Sequence, residues 1–338
     1  MFRQTPIQGL SIVALAAILL AGGLVHYDLP KYNEQSTDAY FTFLDGQRIL
    51  AGENPYSRIL SGNMRTNDKY STYFPLFFLL GAGTQMLGLE NYKDWISVWR
   101  IVLLLFNLGT GAVIFLALYR QRAYLLGVFG ALFWFFNRWT LQITPVGAID
   151  YVPIFFLVLS LVLLPRQQIL ALVLFSISLA LKQMAIFLVP LYLIIVWQTH
   201  EQSRLRHVIV ASALIASVTF VTSLPFLLWN AEGFVRSIVF EVTRDAASHI
   251  NAPSLDGYFG LTGVPARLPM LLLLGLTYLL AWRRVVGMAT GSVLVMVVFL
   301  SFNPVLFLQY FCWVVPLIPL AVAECSAASP LTPQGSTV

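Results

Sequence analysis

Apolar runs recur from one end of this chain to the other, at residues 7–25, 95–118, 124–144, 151–165, 168–181, 184–198, 207–228, 266–282, 285–302 and 305–324. A bilayer core of ~30 Å is crossed by roughly 20 helical residues at 1.5 Å each. Inside it no water is present to satisfy backbone N–H and C=O groups, so a spanning segment must close its hydrogen bonds internally. These runs lack the period-2 alternation of a barrel strand. The expected fold is therefore all-α: a polytopic transmembrane helix bundle of about ten spans. Hydrophobic residues make up 58% of the 338 positions and charged residues only 10%, a balance that excludes an ordinary soluble domain. Residues 1–324 are expected to form one unit, and the small, polar segment 325–338 a disordered cytoplasmic tail.

The formal charge of +5 does not point to nucleic acid, because the basic residues are scattered in short loops beside apolar runs, where they set membrane orientation. With the N-terminus inside, the inner loops hold Arg120 and Arg122, Arg166, Arg204 and Arg206, and Arg283 with Arg284, with Glu201 their one acid. The first outer loop, 26–94, carries six Lys/Arg against eight Asp/Glu. Both termini are then cytoplasmic. The first run lacks a small-residue cleavage site and is expected to be a retained span. Residues 73–89 are apolar but short, and carry a proline, three glycines and Gln85. They are expected to form a helix lying in or dipping into the outer interface, so that 26–94 is a large outer loop with interfacial helices. Trp95, Trp99, Tyr119, Trp139, Tyr151, Trp197, Trp229, Trp282 and Trp313 stand near run ends, as interfacial belts do. Cys312 and Cys325 offer neither a zinc spacing nor a disulfide framework.

Ionisable residues at membrane depth are costly unless paired or hydrated, which makes each a functional candidate. In this topology they collect on the outer side: Asp38 and Asp45 in the first loop, Asp150 before run 151–165, Lys182 with Gln183 after run 168–181, and Arg244, Asp245 and His249 in the loop 229–265. Gln309 and Tyr310 open the last run. Each also has a plainer account. Asp150 would serve as a helix N-cap, Lys182 as a snorkelling side chain, Arg244 as a partner of Asp245 or Glu241 or of a lipid headgroup, and Gln309 as one interhelical hydrogen bond. Asp45 lies two helical turns after Asp38, on the same face if 37–51 is helical.

The pattern D-x-Y-x-x-F (Asp38, Tyr40, Phe43), then L-A-G-E-N-P-Y ending at Tyr56, then Y-x-x-Y-F-P-L containing Tyr73, resembles the first loop of integral-membrane C-type glycosyltransferases. It is especially similar to polyprenyl-phosphomannose-dependent mannosyltransferases. G-A-I-D (147–150), L-A-L-K-Q (179–183) with L-V-P, L-P-F with T-R-D (243–245), and L-Q-Y-F-C-W (308–313) resemble further elements of that family in the same order. Gly147 and Ala148 depart from it, replacing the polar residue that the family carries before this Ile-Asp pair. The resemblance implies transfer of a hexose, mannose in the first instance, from a polyprenyl-phosphate sugar to a lipid or glycan acceptor on the outer face, with inversion. Asp38 would be the general base, and Asp45, Tyr56, Tyr73, Asp150, Lys182, Gln183, Arg244, His249, Gln309 and Tyr310 would bind substrate. Lys182 and Arg244 would meet the phosphate. The partners are the polyprenyl-phosphate donor, the acceptor and membrane lipids, with no nucleic acid. No cofactor is expected, and no metal-ligand spacing surrounds Asp38. The missing ER-retention tail points to a bacterial inner membrane. A polytopic transporter or lipid flippase would account equally well for the composition and the scattered charges.

Overall fold

The computed structural model describes residues 6–29, 37–62, 71–145, 147–243, 254–261, 267–303 and 306–328. Among them the regular structure is helical throughout: α1 (Pro6–Asp28), α2 (Asp38–Leu50), a 3-10 turn (Pro55–Ser61), α3 (Leu76–Met86), α4 (Tyr92–Arg120), α5 (Tyr124–Phe136), α6 (Arg138–Ile143), α7 (Tyr151–Leu163) and α8 (Gln168–Leu181). A second 3-10 turn (Gln183–Leu188) leads to α9 (Val189–Thr199), α10 (Arg204–Trp229), α11 (Ala231–Thr243), α12 (Leu255–Tyr258), α13 (Leu268–Trp282) and α14 (Met288–Ser301). A third (Leu308–Trp313) precedes α15 (Leu317–Ala328).

Four segments are long and apolar enough to cross a membrane: Pro6–Asp28, Tyr92–Arg120, Arg204–Trp229 and Leu308–Ala327. Helices α1 and α10 turn most of their surface outward, exposing Leu10, Val13 and Leu20, and Phe220, Val221 and Leu228. This is the greasy exterior of an integral membrane protein, where lipid takes the place of a second protein layer. Other apolar helices are shorter than the runs that encode them. Helices α7 and α8, of 13 and 14 residues, reach only about 20 Å. They pack against each other and against α4 and α10, and bury Ile154, Leu157, Val158, Phe175 and Leu179.

Three expected spans are broken where polar side chains or prolines sit. The run 124–144 ends its first helix at Asn137, whose backbone is extended (φ −78°, ψ 155°). Its Oδ1 accepts the N–H groups of Trp139 and Thr140, so it caps a new helix in place of continuing the old one. The run 184–198 opens as a 3-10 turn before α9, which carries Pro190 in its first turn. The run 305–324 opens in the same way, and α15 continues to Ala328. Helix therefore extends into the segment expected to be a disordered tail.

Among the described residues between α1 and α4 the chain is built on short helices. The segment 73–89 contains the eleven-residue α3, about 16 Å long, which packs along α2. Gly46 is required there, because a Cβ on it would stand 2.8 Å from the Ala82 backbone nitrogen and 2.9 Å from the Gly81 carbonyl carbon. Small residues let the two backbones approach, and Gln85 Nε2 donates across the crossing to the Phe43 carbonyl at 2.9 Å. The N-P-Y sequence folds as a cap and an anchor. Asn54 Oδ1 accepts from the Tyr56 N–H, Pro55 starts the 3-10 turn, and Tyr56 is fully buried against Phe78, Phe226 and Phe234.

Several aromatic residues expected in interfacial belts are packed inside. Trp95, Trp99, Tyr151 and Trp313 are all buried, whereas Trp229 and Trp282 remain half exposed. Tryptophan next to a polar break looks the same in sequence whether its indole turns to the interface or to the core.

Candidate active site

Asp38 is the first residue of α2. The preceding Thr37 caps the helix through its hydroxyl, which accepts the Tyr40 N–H, and a carboxylate in the first turn is favoured by the helix dipole. One oxygen of Asp38, Oδ2, collects donors from three distant parts of the chain: Tyr73 Oη at 3.2 Å, Lys182 Nζ at 3.2 Å and Gln309 Nε2 at 3.1 Å.

Each donor is delivered by a local device. Tyr73 lies in the segment before α3, where its backbone carbonyl accepts the buried Tyr56 hydroxyl at 2.7 Å. Lys182 follows the last residue of α8 in an extended conformation (φ −160°, ψ 121°) that turns the chain out of the helix while its N–H still bonds Ser178 O. Ser178 Oγ donates to the Pro153 carbonyl at 2.7 Å, tying the end of α8 to α7. Gln309 lies in the 3-10 turn before α15.

The Lys182 ammonium also stands 2.9 Å from Asp150 Oδ2, and the side chains of both residues are 0% exposed. Asp150 Oδ1 accepts the Trp313 indole N–H at 2.7 Å. The ammonium faces the rings of Tyr73 at 4.9 Å and Tyr310 at 5.8 Å, within cation–π range. Among the described residues two carboxylates thus share one ammonium. A buried pair repays its desolvation only when its remaining hydrogen-bonding capacity is met, and Trp313, Tyr73 and Gln309 help to meet it.

Two of the plainer expectations are corrected by this geometry. Asp150 precedes α7 but makes no capping bond with its side chain; the carboxylate is committed to Lys182 and Trp313. Lys182 does not snorkel to water, because its ammonium has two buried anionic partners. The hydrogen bond expected of Gln309 exists, and its acceptor is Asp38 itself.

The other candidates are more dispersed. Gln183 Nε2 donates to the Thr72 carbonyl at 2.6 Å, which ties the second 3-10 turn to the Tyr73 segment. Its Oε1 is buried without a hydrogen-bond partner. Asp45 lies about 10 Å along α2 from Asp38. It accepts from Ser71 Oγ at 2.6 Å and pairs with Arg48. Burial pushes its carboxyl above the ordinary value of 3.8, against the Ser71 hydroxyl and the Arg48 guanidinium, which pull it down. Tyr56 reaches the cluster only through the Tyr73 backbone. Arg244 and His249 lie outside the described residues. Trp313 stood in the Q-Y-F-C-W element, yet its place at a run end pointed to the interface and not to a carboxylate. Among the described residues no group of three or more His, Cys, Asp or Glu side chains is gathered for a metal.

The chain is similar in fold to the crystal structure of ArnT from Cupriavidus metallidurans bound to undecaprenyl phosphate, with a TM-score of 0.56 and 14% identity. The likeness covers 94% of this chain and 60% of that one, so the chain spans about three fifths of the length of ArnT. It shows a shared polytopic helical fold, in accord with the all-α class expected from the apolar runs. No protein-family model matches the sequence. No curated protein matches it either.

Proposed function

We propose that this protein is a membrane glycosyltransferase that moves a sugar from a polyprenyl-phosphate donor to a hydroxyl of a lipid or glycan acceptor at the outer face of a bacterial inner membrane. The observation that carries this reading is the Asp38 carboxylate, held by Tyr73, Lys182 and Gln309 in a fold shared with a protein that was crystallised with undecaprenyl phosphate. The resemblance of the first loop to polyprenyl-phosphomannose-dependent enzymes favours a hexose, mannose first.

In this reaction Asp38 accepts the proton of the acceptor hydroxyl as its oxygen attacks the anomeric carbon. The bond to the phosphate oxygen breaks on the opposite face, and the configuration inverts. A base must lie within hydrogen-bonding distance of that hydroxyl, and donors that fix the carboxylate reduce its loss of freedom on attack. Lys182, buried between two carboxylates, is better suited to positioning Asp38 than to meeting phosphate. Asp150 and Trp313 position Lys182 in turn. The leaving phosphate is assigned to Arg244, where the family resemblance places a cation. Gln309 and Tyr310 border the donor, and the unpartnered Gln183 Oε1 is suited to accept a sugar hydroxyl.

The test is Asp38→Asn in membranes supplied with a labelled polyprenyl-phosphate hexose. Transfer is expected to fall by about 10²–10⁴-fold, the usual contribution of a general base, with insertion and detergent-extracted yield unchanged. Turnover like that of the wild type would sink the assignment. No metal has a role in this scheme, so transfer is expected to persist in excess EDTA; loss on chelation with recovery on adding a divalent ion would reassign the phosphate-binding charge.

A further inference from the structure

A cavity of about 270 Å³ opens between the C-terminal end of α1 and α4, with Thr144, Gly147, Ala148 and Tyr151 along one side. Its α4 wall carries Arg100, Ile101, Leu104 and Asn107, a single stripe at helical spacing. Seven residues separate Arg100 from Asn107, about 10 Å along the axis. His26 and Tyr151 close the far side. Their polar atoms are engaged: His26 bonds Thr144 Oγ1 at 2.6 Å and the Phe135 carbonyl at 2.9 Å, and the Tyr151 hydroxyl pairs with Thr144 Oγ1 at 2.6 Å.

Asn107 is the exception. It sits near the middle of a 29-residue apolar helix, is 1% exposed, and neither its Oδ1 nor its Nδ2 has a hydrogen-bond partner. An amide held in an apolar interior without partners is unfavourable, and at membrane depth such a group marks a ligand path or a binding site. Nδ2 needs an acceptor and Oδ1 needs a donor. A hydroxyl or a secondary amide offers both at one place, whereas an ester carbonyl only accepts and a hydrocarbon offers neither. The guanidinium of Arg100, one third of the way along α4, is matched to an anionic head. The volume lies near the lower limit of small-molecule sites, so it takes a head and its first carbons while the chains remain in the bilayer.

We propose that this cavity binds a lipid with a phosphate head at Arg100 and a hydroxyl or amide at the head of its chains, hydrogen-bonded to Asn107. The proposal does not depend on sugar transfer.

The full-length protein would be reconstituted in phosphatidylcholine nanodiscs containing ceramide 1-phosphate (phosphate, amide and hydroxyl), dioleoyl phosphatidic acid (phosphate and esters) or undecaprenyl phosphate (phosphate alone). Retained lipid would be counted by native mass spectrometry. Ceramide 1-phosphate should be held about five- to tenfold more tightly than the other two, the ratio expected for one buried hydrogen-bonding group. Asn107→Leu should erase that preference and leave phosphatidic acid binding unchanged. Arg100→Gln should weaken all three, and inorganic phosphate should not compete. If Asn107→Leu does not fold, Leu104→Trp, which fills the cavity, decides the matter by abolishing retention of ceramide 1-phosphate. An unchanged preference in Asn107→Leu, wild-type retention in Leu104→Trp, equal retention of the three lipids, or competition by inorganic phosphate would each overturn the proposal.

Discussion

Replacing Lys182 by methionine keeps the length of the side chain and removes its charge. In the native protein the ammonium lies 3.2 Å from Asp38 and 2.9 Å from Asp150. After substitution Asp150, whose side chain is 0% exposed, keeps only the Trp313 N–H among its named donors. Asp38 keeps Tyr73 and Gln309. Removing one partner of a buried ion pair leaves the other uncompensated, at a cost of about 3–5 kcal/mol. That corresponds to a change of roughly two to four orders of magnitude in the unfolding equilibrium. Adding Asp150→Asn removes the stranded carboxylate while keeping an acceptor for Trp313, so the double variant should recover about half of the loss or more. Transfer should stay at least about tenfold down in both variants, because Asp38 has lost its cationic support and is free to move. Denaturant titration in detergent micelles gives the three stabilities, and labelled-donor transfer in membranes gives the activities. A Lys182→Met protein within about 0.5 kcal/mol of wild type, the range of ordinary surface changes, would refute the shared ammonium. So would a double variant less stable than Lys182→Met.

Gly46→Ala should destabilise the protein by about 1–3 kcal/mol, because its Cβ meets the Gly81 and Ala82 backbone at less than 3 Å. Thermal unfolding in detergent would detect the change, and an unaltered midpoint would contradict the close crossing of α2 and α3. Burial raises the Asp45 carboxyl above its ordinary 3.8, so the folded protein keeps a proton that the unfolded chain releases. Its contribution to stability is full below the ordinary value and is lost as pH rises through the raised one. Asp45→Asn should remove this loss and flatten the fall in stability as pH rises above the ordinary carboxyl value, and a parallel pH profile for wild type and variant would count against it.

Much of the candidate cluster was legible in the sequence because polar residues in an apolar chain are conspicuous. Asp38, Asp150, Lys182 and Gln309 each stood out as a charge or amide beside a hydrophobic run, and the topology set them on one side of the bundle. Their pairing was not legible. Lys182 is 32 residues from Asp150 and 144 from Asp38, and nothing in those separations says which carboxylate takes the ammonium. Helical spacing placed Asp45 on the same face as Asp38, but Ser71, delivered by a different segment, takes one of its oxygens.

The sequence by itself determined the solvent and the secondary structure, since the length and polarity of a run decide whether its backbone is left as helix in a medium without water. Only the tertiary structure decided where those helices break and which partner each buried polar group finds. Asn137 ends a helix because its side chain satisfies the next one. Trp313 leaves the interface because a buried carboxylate accepts its N–H. Hydropathy is summed along the chain, whereas a buried charge is stabilised by groups close to it in space, wherever in the chain they originate.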